Sequence, residues 1–191
     1  MPTKDIKIRP ATLDDAAALL DIYDYYVQDT AITYEYDTPS LEEFTDRIRT
    51  IQRKFPYLVI EQGKEILGYA YASSFHPRIA YQWCAEMTIY LRKDVRGGGL
   101  GRMLYTELER QLKDLGYLNL YSCIAYPDAE DEYLTFASVK FHEKMGYKLN
   151  GKFTKCGYKF GRWYNMVWME KFIGEHTNDP ISPGTAPKMT S

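Results

Sequence analysis

Met87-Thr88-Ile89-Tyr90-Leu91, followed closely by Val95-Arg96-Gly97-Gly98-Gly99-Leu100-Gly101-Arg102, reads as a strand, a phosphate-cradling loop and the start of a helix. Four glycines among the five residues from Gly97 to Gly101 let the backbone turn tightly and aim successive N–H groups at one anion. The helix beginning at Leu100 adds its partial positive charge at the same place, so the stretch predicts a phosphorylated ligand. A nucleoside-triphosphate loop would carry Gly-Lys followed by Ser or Thr, where this chain has Gly101-Arg102-Met103. A dinucleotide fingerprint needs glycine at its first, third and sixth positions, and counting from Gly97 the sixth is Arg102. What remains is Arg-x-x-Gly-x-Gly, set by Arg96, Gly99 and Gly101. Taken alone, the same glycines also describe an ordinary strand-to-helix turn.

Before the loop, Ile6 and Ile8 alternate with Lys7 and Arg9 as a short strand. Thr12 and Asp15 make a capping-box-like pair ahead of a helix on Ala16, Leu19, Leu20, Tyr23 and Val27; Ser40 and Glu43 do the same for Leu41, Phe44, Ile48 and Ile51. Residues 29–39 between them lack periodicity and carry Tyr34-Glu35-Tyr36. Residues 57–61 and 66–73, split by Gln62-Gly63-Lys64, read as a hairpin, and residues 82–91 as a third strand leading into the loop. After it, Met103, Leu104, Leu108, Leu112 and Leu115 keep helical spacing up to Gly116. A strand over 117–125, an acidic turn over 127–132 and a helix on Leu134, Ala137, Phe141 and Met145, closed by Gly146, come next. Residues 152–159 and 164–171 form a closing hairpin around Phe160-Gly161-Arg162. The polar stretch 174–191 has no periodicity and is expected to be a disordered tail behind one domain, 1–173.

The 191 residues carry a net charge of −2 with acidic and basic residues interspersed, which argues against nucleic acid or an anionic membrane as partner and favours a small molecule. No apolar stretch approaches a membrane span and residues 1–10 lack a secretory core, so a soluble cytoplasmic protein is expected. Cys84, Cys123 and Cys156 are unpaired in spacing, and His76, His142 and His176 are scattered; neither a disulfide framework nor a metal site is predicted. Eighteen tyrosines are a heavy load; most read as half-buried packing residues, with a few left to line a substrate pocket or subunit contact.

The glycine loop resembles the pyrophosphate loop of the GNAT superfamily of N-acetyltransferases, and the order strand, two helices, three strands, helix, strand, helix, two strands is similar to that of its fold. The resemblance implies an α+β (α/β mixed, three-layer) domain with a central mixed, mostly antiparallel sheet and helices on both faces. Within the superfamily, residues 5–171 resemble the phosphinothricin and methionine-sulfone N-acetyltransferase group. The matching segments are Ile8-Arg9-Pro10-Ala11-Thr12, Tyr69-Ala70-Tyr71-Ala72-Ser73, Arg78-x-Ala80-Tyr81-x-Trp83, His142-Glu143-Lys144-Met145-Gly146-Tyr147 and, most diagnostic, Gly157-Tyr158-Lys159-Phe160-Gly161-Arg162-Trp163.

This likeness implies acetyl-CoA as cosubstrate, no metal, a small amino-acid-like amine as acceptor, direct transfer without an acetyl-enzyme, and a homodimer. It implies coenzyme contacts at Thr88, Ile89 and Tyr90, along the loop from Arg96 through Gly97, Gly98, Gly99, Leu100 and Gly101 to Arg102, and at Thr135 and Ser138; Thr135 stands where the group usually has asparagine. Glu86, read by type alone, is a strand-edge carboxylate paired with a neighbouring base; the resemblance makes it the general base that takes the ammonium proton, through water, beside amides that polarise the thioester. His142 reads as a packing or capping residue, or, by resemblance, as a donor near the coenzyme sulfur. Arg78 and Tyr81, with Tyr34, fall at substrate-facing positions, where a guanidinium clamps a carboxylate or oxyacid; read alone, Arg78 is a surface loop cation. Two other functions stay open: a non-catalytic acyl-CoA-sensing module and a peptide or protein N-terminal acetyltransferase.

Overall fold

The computed structural model describes residues 6–95 and 98–184. Its elements run β1 (Ile6–Pro10), α1 (Ala16–Asp29), α2 (Leu41–Gln52), β2 (Tyr57–Gln62), β3 (Glu65–Ser74), β4 (Cys84–Leu91), α3 (Leu100–Asp114), β5 (Asn119–Tyr126), α4 (Ala137–Lys144), β6 (Lys148–Lys159) and β7 (Arg162–Phe172). The strands form one mixed sheet in the order β1-β2-β3-β4-β5-β7-β6, in which β4 and β5 alone run parallel. The expected element order and fold class are those observed.

Strand alternation divides the core in two. On β2, Leu58 and Ile60 join Leu104, Leu108 and Leu112 of α3 and Val139 of α4. Tyr57 and Val59 face the other way, against Leu19 and Tyr23 of α1 and Phe44 and Ile48 of α2. Helices thus cover both faces, and the tyrosines Tyr57, Tyr69, Tyr71 and Tyr90 gather on the α1/α2 side.

Both predicted caps form. The Ser40 hydroxyl accepts from the Glu43 amide at 3.1 Å, and Thr12 with Asp15 closes a capping box over one 3-10 turn before α1. Several boundaries differ from the sequence expectation, β5 and β7 by up to two residues, and three of the shifts have a visible cause. β4 begins at Cys84 because Ile79–Tyr81 close a 3-10 turn, Tyr81 N–H donating to Arg78 C=O at 3.0 Å. α4 begins at Ala137, since the Asp131 carboxylate accepts from the Tyr133 and Leu134 amides at 2.8 Å each and holds that segment as a turn. β6 begins at Lys148 and is longer than predicted: an edge strand can present polar residues on both faces, so its first half carries little hydrophobic signal. Residues 174–184, within the expected tail, follow the domain surface, where Trp83 Nε1 donates to Ile181 C=O at 2.9 Å and Gly184 N–H to Leu115 C=O at 2.8 Å.

Candidate active site

Pairing between β4 and β5 stops early. The register holds only for Cys84 with Asn119, Ala85 with Leu120 and Glu86 with Tyr121, although β4 continues to Leu91 and β5 to Tyr126. Beyond Glu86 the strands part, and a cleft of about 500 Å³ opens between them. Its walls are Glu86 to Tyr90 of β4, Ser122 to Ala125 of β5, Ser138 and His142 of α4, and Ile32, Thr33 and Tyr34 of the α1–α2 loop. Main-chain groups on the gap-facing edge of β4 meet no neighbouring strand there. Backbone polar groups need partners, so this edge is built for an extended ligand carrying amides of its own. Thr88, Ile89 and Tyr90, expected from the sequence to contact such a ligand, lie on it.

The glycine loop sits where β4 leads into α3. Gly98 (φ 65°) and Gly99 (φ 75°) hold left-handed backbone that L side chains rarely adopt, and Gly99 is the N-cap of α3. Among the described residues no side chain caps the helix, and uncapped N–H groups at a helix start can take an anion. Among the described residues a Cβ on Gly99 would meet nothing within 4 Å, whereas one on Gly101 would touch Leu91 and Phe141 at 3.4 Å each. Gly99 therefore answers to conformation and ligand access, Gly101 to close packing of α3 between β4 and α4. Leu100 packs against the α3-side core. Arg96 and Gly97 lie outside the described residues. Arg102 is exposed and lines a different groove, with Arg9, Met103 and Glu107 between α3 and the β1 edge.

Glu86 stands at the fork, half-buried, and no hydrogen-bond or ion-pair partner reaches its carboxylate among the described residues. The neighbouring base that residue type alone suggested is not there. Burial pushes its pKa above the ordinary carboxylate value.

His142 is 3% exposed on the cleft wall. Its Nδ1 lies 2.8 Å from the Ser138 carbonyl, which only accepts, so Nδ1 carries the proton. Burial lowers its pKa to about 4, so the ring is neutral and Nε2 accepts from the Tyr105 hydroxyl at 2.9 Å. Tyr105 in turn accepts from Ser122 Oγ at 3.0 Å. Both ring nitrogens are engaged inside the protein, which leaves no N–H for a departing sulfur. Thr135 is exposed, its hydroxyl accepting from the Ala137 amide at 3.3 Å, and only Ser138 of that expected pair lines the cleft.

Tyr34 lines the cleft, donating to the Asn165 carbonyl at 2.6 Å, and its ring lies flat over Gly157, where a Cβ would come within 2.4 Å of it. The loop that carries it is fixed from β6: the buried Lys159 ammonium donates to the carbonyls of Val27, Thr30 and Thr33 at 2.7, 2.9 and 2.9 Å. Arg78 and Tyr81 are not brought to the cleft. Both are exposed on the β3–β4 connection, where the Tyr81 ring leans on Phe75 and Phe75 stacks on Tyr121, the residue paired with Glu86. Nothing in the sequence pattern marked Tyr71, Ser122, Cys123, Cys156 or Met166, which also line the cleft. What they share is their place around the fork, which is set by how the strands assemble and not by any local pattern. Among the described residues no cluster of His, Cys, Asp or Glu could hold a metal ion, and no helix is long and apolar enough to cross a membrane.

A forked parallel strand pair beside a glycine-capped helix start defines an acyl-carrier cleft of the acetyltransferase type. An acetyltransferase (GNAT) domain profile matches residues 8–168, and the chain belongs to that family. It is 31% identical over 183 residues to a phosphinothricin N-acetyltransferase of Streptomyces viridochromogenes, covering 95% of this chain and 96% of that one. With an L-methionine sulfoximine/L-methionine sulfone acetyltransferase of Pseudomonas aeruginosa it shares 28% identity over 85% of this chain and 92% of the other. A phosphinothricin acetyltransferase from Sinorhizobium meliloti, solved in complex with acetyl-CoA, superposes with a TM-score of 0.84 at 32% identity, over 95% of this chain and 96% of that one.

Proposed function

We propose that the chain transfers the acetyl group of acetyl-CoA to the α-amine of a small amino-acid-like acceptor, with Glu86 as general base. The parting of β4 from β5 immediately after Glu86 is the observation that carries this reading. It sets a partnerless carboxylate at the mouth of an amide-lined cleft, within the reach of a nucleophile that approaches a thioester held along β4.

The β4 edge over Thr88–Tyr90 would hold the pantetheine arm, and Gly98, Gly99 and the first turn of α3 would hold the diphosphate, together with Arg96 and Gly97. Glu86 draws a proton from the acceptor ammonium, through water, so that the amine lone pair can attack the thioester carbon. Exposed β4 amides stabilise the charge that grows on the carbonyl oxygen. The C–S bond then breaks, and the departing thiolate takes up the proton that the newly acylated nitrogen sheds, giving the amide and free coenzyme A thiol. His142, neutral and held at both nitrogens, acts as a positioning residue that fixes Tyr105 and Ser122 behind the cleft.

Because Glu86 must be ionised to act, its raised pKa places the acid limb of kcat/KM above the ordinary carboxylate range, with activity rising with pH through that value. Glu86→Gln should lower turnover by about 10²–10⁴-fold, flatten that limb and keep the Kd for coenzyme A. Unchanged turnover removes Glu86 from the mechanism. Thiol release from acetyl-CoA with a panel of amines separates the competing readings: release with free amino acids supports this one, release with peptides alone assigns a peptide N-terminal acetyltransferase, and binding without release assigns a sensor.

The reading extends to a homodimer in the cytoplasm, and what supports the dimer is a set of exposed apolar side chains on the outer hairpin, set among lysines. Leu149 (61%), Phe153 (53%) and Trp163 (59%) are exposed on the β6–β7 hairpin. A monomer in sedimentation equilibrium at micromolar concentration rejects the dimer.

A further inference from the structure

Resting on the coenzyme half of that reading and deepening it, we propose that Ser122 offers the coenzyme sulfur a lone pair and no hydrogen, so that the cleft favours the free thiol of coenzyme A over its thioester and its thiolate. Ser122 is the first residue of β5 beyond the last β4–β5 pair, Glu86 with Tyr121, and it lines the cleft there. Strand alternation turns it to the opposite face of the sheet from Glu86. Leu120 and Ile124, which share its parity, belong to the core that packs α3 and α4, whereas Tyr90, which shares the parity of Glu86, packs on the α1/α2 side. The helix that starts at the glycine turn therefore covers the face of Ser122. A coenzyme running from that turn along the β4 edge brings its sulfur to the fork from the side of Ser122, while the acceptor amine meets the thioester from the side of Glu86.

The direction of the hydrogen bonds behind Ser122 is fixed from one end. The Ser138 carbonyl only accepts, so it takes the His142 Nδ1 hydrogen at 2.8 Å. Nε2 of the neutral ring is then an acceptor, and the fully buried Tyr105 hydroxyl donates to it at 2.9 Å. With that hydrogen committed, the Tyr105 oxygen has only lone pairs for Ser122 Oγ at 3.0 Å, so Ser122 donates inward. A hydroxyl has one hydrogen, and what Ser122 presents to the cleft is a lone pair.

The three states of the sulfur answer this lone pair differently. A thiol donates its S–H to it, a thioester has no hydrogen to give, and a thiolate faces it with a negative charge and finds no hydrogen from Ser122, Tyr105 or His142. Cys123, the next residue of β5, is turned to the face of Glu86, where burial pushes its thiol up to about 12. The departing sulfur is thus better held once it has taken the proton shed by the nitrogen. The consequence is product retention: coenzyme A competes for the cleft against acetyl-CoA.

Calorimetry and ultraviolet titration of bound coenzyme A test this. Ser122→Ala should lower the ratio of the acetyl-CoA Kd to the coenzyme A Kd about two- to fivefold, the worth of one S–H···O bond. The pH at which the bound thiol ionises, read from thiolate absorbance, should fall from the native chain to Ser122→Ala. It should fall further in Tyr105→Phe, where Ser122 is freed to turn its hydrogen to the sulfur. The other titratable groups lining the cleft, Glu86, Tyr34, Tyr71, Tyr90, Cys123 and Cys156, are common to all three proteins, so this order reads the Ser122 hydroxyl and would not follow from lost packing. An unchanged Kd ratio or an unchanged ionisation in Ser122→Ala, or a Tyr105→Phe chain that ionises its coenzyme as the native chain does, overturns the assignment and leaves acetyl transfer standing. A native chain that binds neither acetyl-CoA nor coenzyme A overturns the coenzyme reading and this inference with it.

Discussion

Replacing Lys159 by Met should disable the acceptor side of the cleft without touching the coenzyme side. The ammonium is 3% exposed and donates three hydrogen bonds, to Val27, Thr30 and Thr33 carbonyls. Val27 lies in the last turn of α1, where carbonyls lack helical partners and the helix end favours a cation. Each charge-assisted bond contributes about 1.5–3 kcal/mol. Burial holds the ammonium below its ordinary pKa, and that desolvation offsets part of the sum. Methionine fills the volume but leaves three carbonyls unpaired, so the net loss should be about 3 kcal/mol, or about 6–12 °C in Tm for a chain of this size. Residues 30–34, released from β6, carry Ile32, Thr33 and Tyr34 out of register with the cleft, which should raise the acceptor KM severalfold while the KM for acetyl-CoA stays within about twofold. Thermal unfolding by circular dichroism and two-substrate kinetics read both effects. A Tm within about 1 °C of the native value together with an unchanged acceptor KM would refute the reasoning, because it would mean that the three bonds hold nothing.

His142 gives an acid-stability signature. Its folded pKa of about 4 lies below the ordinary 6.5, so its contribution is complete above pH 6.5 and is lost as pH falls toward 4, amounting to about 3 kcal/mol. Urea unfolding at pH 7 and pH 4.5 should show a loss that His142→Phe lacks; an equal loss in both proteins counts against a buried neutral ring. Gly99→Val forces a β-branched residue to φ 75°, costing about 1–3 kcal/mol, and should weaken coenzyme A binding about tenfold or more by calorimetry although no atom of the described residues lies within 4 Å of the new Cβ. Native affinity would mean that the turn is not the anion site. Gly157→Ala puts a methyl within 2.8 Å of three Tyr34 ring atoms and should raise the acceptor KM with little effect on that for acetyl-CoA; an unchanged acceptor KM would detach Tyr34 from the acceptor.

The legible parts of this chain are those whose physics is local. The four glycines around Leu100, the caps at Thr12 and Ser40 and the strand and helix periods depend on neighbours within a few residues, and each took the predicted form where it lies in the described residues. Glu86 and His142 were legible as candidates through resemblance, but their states were not: the missing partner of one and the Tyr105 contact that completes the engagement of the other depend on segments distant in sequence. Arg78 and Tyr81 show the converse. Their motif was legible, yet a 3-10 turn holds them away from the cleft, and local spacing carries no distance to a site assembled from other strands.

From sequence alone came the order of the elements, the glycine turn and the family likeness, because backbone torsions and hydrophobic periods are written residue by residue. Tertiary structure alone decided where β4 leaves β5, which side chains line the cleft and what Lys159 grips. Those are properties of strand register and of side chains more than a hundred positions apart meeting in a low-dielectric interior, and no run of neighbouring residues encodes them.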